Sequence, residues 1–144
     1  MAKYNFRLQR VLDIREVELD KAQNELYQAR QKEKNIEDRL NEAKQQLSKL
    51  FNYIRNNDLD VMENIRTRDY IKKQQKKIQD IYQELHEQKE IVNKYKDNVI
   101  EKKQAKEKIV NIKEKKSKAF YKEFLSKQQK ELDEISLRLS NQGV

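Results

Sequence analysis

Fourteen positions between Leu8 and Ile54 restrict this chain more than anything else in it. Steps of four and three residues, taken alternately from Leu8, give Leu8, Leu12, Arg15, Leu19, Ala22, Leu26, Ala29, Glu33, Ile36, Leu40, Ala43, Leu47, Leu50 and Ile54. Twelve of these are apolar, and the residues between them are mostly charged or amide. A mean spacing of about 3.5 residues holds one narrow stripe on one side of a helix, which is the pattern of a coiled-coil seam. A helix seated on a globular core needs a wider apolar face. The stripe must therefore be covered by another helix, from the same chain or from a second protein. Arg15 and Glu33 interrupt it, and polar residues on a seam weaken packing while setting register.

Composition agrees once the heptads are known. The chain has 144 residues, 40% charged and 35% hydrophobic, with one Gly and no Pro, Cys or Trp. That balance suits either disorder or long helices, and a phase held over seven repeats decides for helices. Asn5 is placed to cap a first helix from about residue 6 to 55, which at about 1.5 Å per residue is roughly 75 Å long. Asn56, Asn57 and Asp58 form the best break, because Asn and Asp tolerate left-handed backbone and bond locally to the main chain. Asp58 or Asp60 then caps a second helix. Leu59, Val61, Met62 and Ile65 lie off the stripe and are placed to close the end of a hairpin.

The second seam runs Ile71, Gln74, Ile78, Ile81, Leu85, Gln88, Val92, Tyr95 and Val99, seven of nine apolar. Its phase then slips, with Lys102 and Lys106 on the seam and Ala105, Ile109 and Ile112 one step away. It slips again before Tyr121, Leu125, Gln128, Leu132, Ile135 and Leu139. Such slips alter local winding without ending a helix. The expected fold is all-α. One domain spans residues 1–144, with two long helices in an antiparallel coiled-coil hairpin, a turn at 56–65 and a longer second helix at about 66–140. Gly143 lies too near the end to mark anything.

A hairpin folded near Asn57 brings Leu8 beside residues near 110. About thirty residues of the second helix then lack a partner, yet Tyr121, Phe124, Leu125, Leu132, Ile135 and Leu139 are apolar. An apolar stripe without an intramolecular partner is a candidate binding surface. Dimerisation or fraying of that segment is the plainer alternative.

Chemistry is harder to find. His86 is the single histidine, and one histidine without converging ligands makes no metal site. Glu33 with Glu37, and Asp38 with Glu42, share helix faces, but catalytic carboxylates need a desolvated pocket to separate their pKa values. One Gly cannot build a phosphate-binding loop. These residues point away from an enzyme, a metal or a cofactor. With no cysteine there is no disulfide. No apolar run has the length of a signal peptide or a membrane span, so a cytoplasmic protein without a transmembrane segment is expected.

Net charge is +8, with 33 basic against 25 acidic residues, mostly interleaved as on a solvated helix face. Basic stretches stand at Lys72-Lys73, Lys76-Lys77 and from Lys102 to Lys118. Nucleic-acid binding would call for more Arg and for stacking aromatics, so a strip for an acidic protein surface is the better expectation.

One stretch is more specific than coiled coil. Tyr4-Asn5-Phe6-Arg7-Leu8-Gln9-Arg10-Val11-Leu12-Asp13-Ile14-Arg15-Glu16 resembles the opening of the flagellar export protein FliJ family, with its aromatic-x-Phe-Arg-Leu-x-x-Val-Leu-x-x-Arg pattern. The chain length, the coiled-coil hairpin, Tyr70-Ile71 opening the second helix, and Glu101-Lys102-Lys103 agree with it. The resemblance implies a cytoplasmic part of the flagellar type III export apparatus, peripheral at the inner face of the membrane. It also implies a hairpin similar to the two-helix coiled coil of the rotary ATPase gamma subunit. Implied partners are the export ATPase hexamer, whose assembly such proteins promote, the membrane export gate protein FlhA, and export chaperones.

By position, the family's gate patch falls on Gln46, Leu50, Tyr53, Tyr70 and Gln74. Gln74 stands where an apolar residue is usual, and Asn57 where some members carry an aromatic. The open end of the hairpin is the expected contact with the ATPase ring. It comprises Phe6, Arg7, Leu8, Val11, Leu12 and Arg15 with Tyr121, Leu125, Leu132, Ile135 and Leu139. An elongated monomer is expected. The alternatives are a homodimeric coiled-coil scaffold, an injectisome stalk homologue, or a basic helical nucleic-acid binder.

Overall fold

The computed structural model describes residues 3–142, and of Gln142 only the backbone. Gly143 lies outside the described residues. The fold is all-α, with α1 at Gln9–Asn56 and the longer α2 at Val61–Gln142. The two helices pack on each other as a hairpin, and no strand occurs among the described residues.

Helix α1 starts at Gln9, so Asn5 does not cap it. The Gln9 amide donates to the Phe6 carbonyl at 3.1 Å, and the Leu12 amide to the Leu8 carbonyl at 3.0 Å. The physical reason is burial. Phe6 is only 8% exposed, and anchoring that ring outweighs a capping preference of about 1 kcal/mol.

The connection is shorter than expected. Both the backbone and side-chain amides of Asn57 donate to the Tyr53 carbonyl, at 3.1 and 3.0 Å, and end α1. Asp60 Oδ1 accepts from the Glu63 amide at 2.8 Å and starts α2 at Val61, five residues before the expected position. No described residue has positive φ, so Asn57 works through its side chain and not through left-handed backbone. Because the Asp60 cap sets α2 going so early, Val61, Met62 and Ile65 lie on its outer surface. Val61 is 75% exposed, and these residues do not close the hairpin.

The chain divides into two compact units, Lys21–Ile100 and Met1–Asp20 with Glu101–Val144. In the unit Lys21–Ile100 the strict seams are interior. Ala22, Ala29, Ile36, Leu40 and Ala43 of α1 are buried, as are Ile71, Ile78, Ile81, Leu85 and Val92 of α2. Ile36, Leu40, Ala43, Ile78, Ile81 and Leu85 form one cluster, with Leu47 packed on it. Gln74 and Gln88 are buried with them. The Gln74 amide donates to the Ala43 carbonyl at 3.3 Å and to Gln46 Oε1 at 3.2 Å, and Gln88 donates to the Ala29 carbonyl at 3.0 Å. Each glutamine meets a small alanine, which leaves room for the amide to reach the facing backbone. Burying an amide is tolerable only when it is bonded. With Arg39 on Glu84 at 2.6 Å, these contacts show the antiparallel register.

The other unit is built differently. Among the described residues its buried side chains are Phe6, Leu12 and Leu19, all from the N-terminal segment and α1. The facing stretch of α2 offers half-buried Lys102, Ala105, Lys106, Ile109, Val110 and Lys113. Lys113 Nζ donates to Gln9 Oε1 at 2.7 Å, and Lys106 Nζ lies 4.0 Å from Glu16. Lysine stems cover apolar surface while their ammonium groups reach polar partners at the rim. The first phase slip is thus a cationic seam inside an unbroken helix. Tyr4 lies 6.3 Å from the Phe6 ring and 5.4 Å from Phe120, which ties the N-terminal segment to α2.

Candidate docking surfaces

Within Lys21–Ile100, Gln46, Lys49, Leu50 and Tyr53 are three or four residues apart and share one face of α1. Tyr70 reaches the same place from α2. Together they line an open cleft of about 410 Å³. Leu50 is half-buried and floors it, while Tyr53 and Tyr70 are exposed. Two rings with phenolic tips, an amide, an ammonium and an aliphatic floor suit an apolar anchor with a polar or anionic rim.

Four of the five residues mapped to the gate patch line this cleft. Gln74 does not. It is 6% exposed and lies beneath, donating to the side-chain oxygen Oε1 of Gln46 and so orienting that amide. Lys49 was missed, although its spacing to Gln46 and Tyr53 put it on that face. A second cleft of about 340 Å³, lined by Phe51, Ile54, Arg68, Ile71, Lys72 and Gln75, was also missed. Only the exposed Phe51, off the seam, hinted at it.

In the other unit the residues mapped to the ATPase ring part into two sets. Phe6 and Leu12 are buried, the latter 4% exposed, and hold the N-terminal segment in place. Leu8, Val11 and Arg15 are half-buried, and Arg15 Nη1 bonds Glu18 Oε2 at 3.1 Å. Of the N-terminal set only Arg7 is exposed. Tyr121, Leu125, Leu132, Ile135 and Leu139 are all exposed, and from Leu125 to Asn141 every side chain is.

Basic charge gathers just before that stripe. Lys103, Lys108, Lys115, Lys116 and Lys118 are exposed, whereas Lys102, Lys106 and Lys113 serve the seam. Elsewhere, His86 is exposed with Nε2 3.2 Å from Glu90. No helix among the described residues is long and apolar enough to cross a membrane.

No curated protein and no solved structure matched the chain in comparison. The family described as Flagellar FliJ protein does match, over residues 4–144. That span takes in the Tyr4–Glu16 opening, both helices and the Tyr53–Tyr70 cleft, and the chain belongs to the flagellar FliJ family, a component of the type III protein export apparatus of the flagellum.

Proposed function

We propose that this protein is a cytoplasmic, non-enzymatic component of that apparatus, peripheral to the membrane. It docks on the export ATPase ring through the exposed stripe Tyr121–Leu139, engages the export gate through the Tyr53–Tyr70 cleft, and escorts export chaperones. The observation that carries this reading is the stripe. Tyr121, Leu125, Leu132, Ile135 and Leu139 keep helical spacing yet stay exposed. In Lys21–Ile100 the seams satisfy each other within one chain, which favours a hairpin over a scaffold that needs a second copy to fold.

If each stripe residue contributes on the order of 1–2 kcal/mol on burial, a few suffice for micromolar binding after the cost of association. Arg7 and the exposed lysines add charge that speeds encounter with an acidic ring surface. The test is ATPase stimulation by the full chain carrying Leu125→Glu with Leu132→Glu. Stimulation is expected to fall sharply while helicity is unchanged. Full stimulation by that variant would remove the stripe from the docking site.

A further inference from the structure

Beyond Phe124 the apolar residues of α2 leave the face that the N-terminal segment uses. The half-buried positions there step through Lys113, Ser117, Phe120 and Phe124. The same phase continued meets Lys127, Glu131, Glu134 and Arg138, all charged. Most of the apolar residues instead occupy Tyr121, Leu125, Leu132, Ile135 and Leu139, with Gln128 completing the spacing and the exposed Leu137 lying off it. This stripe is displaced by one residue, a turn of about 100° around the helix. It is exposed, and at about 3.5 residues per step it is too narrow for a broad surface and fits one helix. Its separate phase means that this helix is not α1.

We propose that the occupant is the same stripe of a second copy of this chain, running antiparallel. Two features of the segment select it. Four cations, Lys122, Lys127, Lys130 and Arg138, are balanced by Glu123, Glu131, Asp133 and Glu134. Two copies therefore meet without net repulsion, whereas an anionic bilayer would favour a net-positive polar face. The spacing is also its own reverse. Turned about Lys130, Tyr121 faces Leu139, Leu125 faces Ile135, and Gln128 faces Leu132. A parallel pair would instead set two segments from Glu101 to Phe120 side by side, each with eight lysines against three glutamates.

The segment covers about three heptads, a length at which helices alone are marginal, so the pairing is weak and concentration-dependent. Glu131 flanks the centre and meets its own copy, which loosens the pair further. Pairing covers the stripe assigned above to the ATPase, so self-association and docking exclude one another. The pairing itself does not depend on that assignment, because it is measured on the purified chain alone.

Sedimentation equilibrium of the full chain tests it. Monomer is expected near 1 µM and a growing dimer fraction toward roughly 100 µM, the range of a weak contact. Leu132→Asp, at an exposed site, is expected to stay monomeric throughout with unchanged helicity, and Glu131→Gln to dimerise several-fold more tightly. The chain has no cysteine, so orientation can be read from disulfides. A mixture of Leu125→Cys and Ile135→Cys chains should form the mixed disulfide, and neither alone should crosslink. Monomer at every concentration, a dimer that survives Leu132→Asp, or self-crosslinking of each cysteine variant overturns the proposal. So does a monomer that cosediments with phosphatidylserine-rich vesicles and loses them on Leu132→Asp, which would assign the stripe to a membrane.

Discussion

Leu40→Ala measures how much a layer only two helices thick depends on its seam. Leu40 is 5% exposed and belongs to the cluster with Ile36, Ala43, Ile78, Ile81 and Leu85. Trimming it to Ala removes three carbons, a transfer loss of about 2–2.5 kcal/mol at roughly 0.8 kcal/mol each. In a thick core the cavity left behind raises the total to as much as about 5 kcal/mol. Here the space opens toward the flank, where water and the half-buried Leu47 can enter it, so the cavity adds little. The expected loss is about 2–3 kcal/mol.

The assay is urea unfolding followed by far-ultraviolet circular dichroism and extrapolated linearly to water. Two variants frame the result. Lys32→Ala removes an exposed charge and Ile135→Ala an exposed apolar group, and each is expected to stay within about 0.5 kcal/mol of the parent. An equal, small effect at Leu40 and Lys32 would refute the packed seam. A loss well above 4 kcal/mol at Leu40 would show a closed core that two helices cannot provide.

Asp60→Ala should cost about 1 kcal/mol and Asp60→Asn almost nothing, since either Asp or Asn caps the Glu63 amide; thermal unfolding of both variants decides. Gln88→Leu should lie within about 1 kcal/mol of the parent, because it removes a buried donor while the Ala29 carbonyl keeps its helical partner; a loss above about 2 kcal/mol in urea would mean the amide itself is needed. Tyr53→Ala with Tyr70→Ala should weaken gate binding and motility while helicity and ATPase stimulation hold; loss of helicity would make the tyrosines structural. Cysteines at Leu40 and Ile78 should join within one chain, as non-reducing electrophoresis would show, whereas bridges only between chains would contradict the hairpin.

Much of the fold was legible because heptad phase is local information. The fourteen positions from Leu8 to Ile54 are all buried or half-buried, and the second seam from Ile71 to Val99 likewise has no exposed member. Asn57 and Asp60 marked the turn by residue type. Gln46, Leu50 and Tyr53 came from the resemblance to the FliJ family, by position.

Other features depended on which segment lies opposite. Gln74 and Gln88 look like defects in a seam until the backbones of Ala43 and Ala29 come close enough to accept from them. Lys113 looks like part of a basic strip for an acidic partner until Gln9 accepts from it, and Lys102 and Lys106 look like slips in a seam until Leu12 and Leu19 need cover. Phe6 and Leu12 look available for a partner until the chain packs Tyr4 against Phe120 and closes over them. A repeat records which side of a helix must be covered, and so the sequence alone determined two helices and their seams. Which residues do the covering depends on contacts between positions a hundred residues apart, and only the tertiary structure decided those.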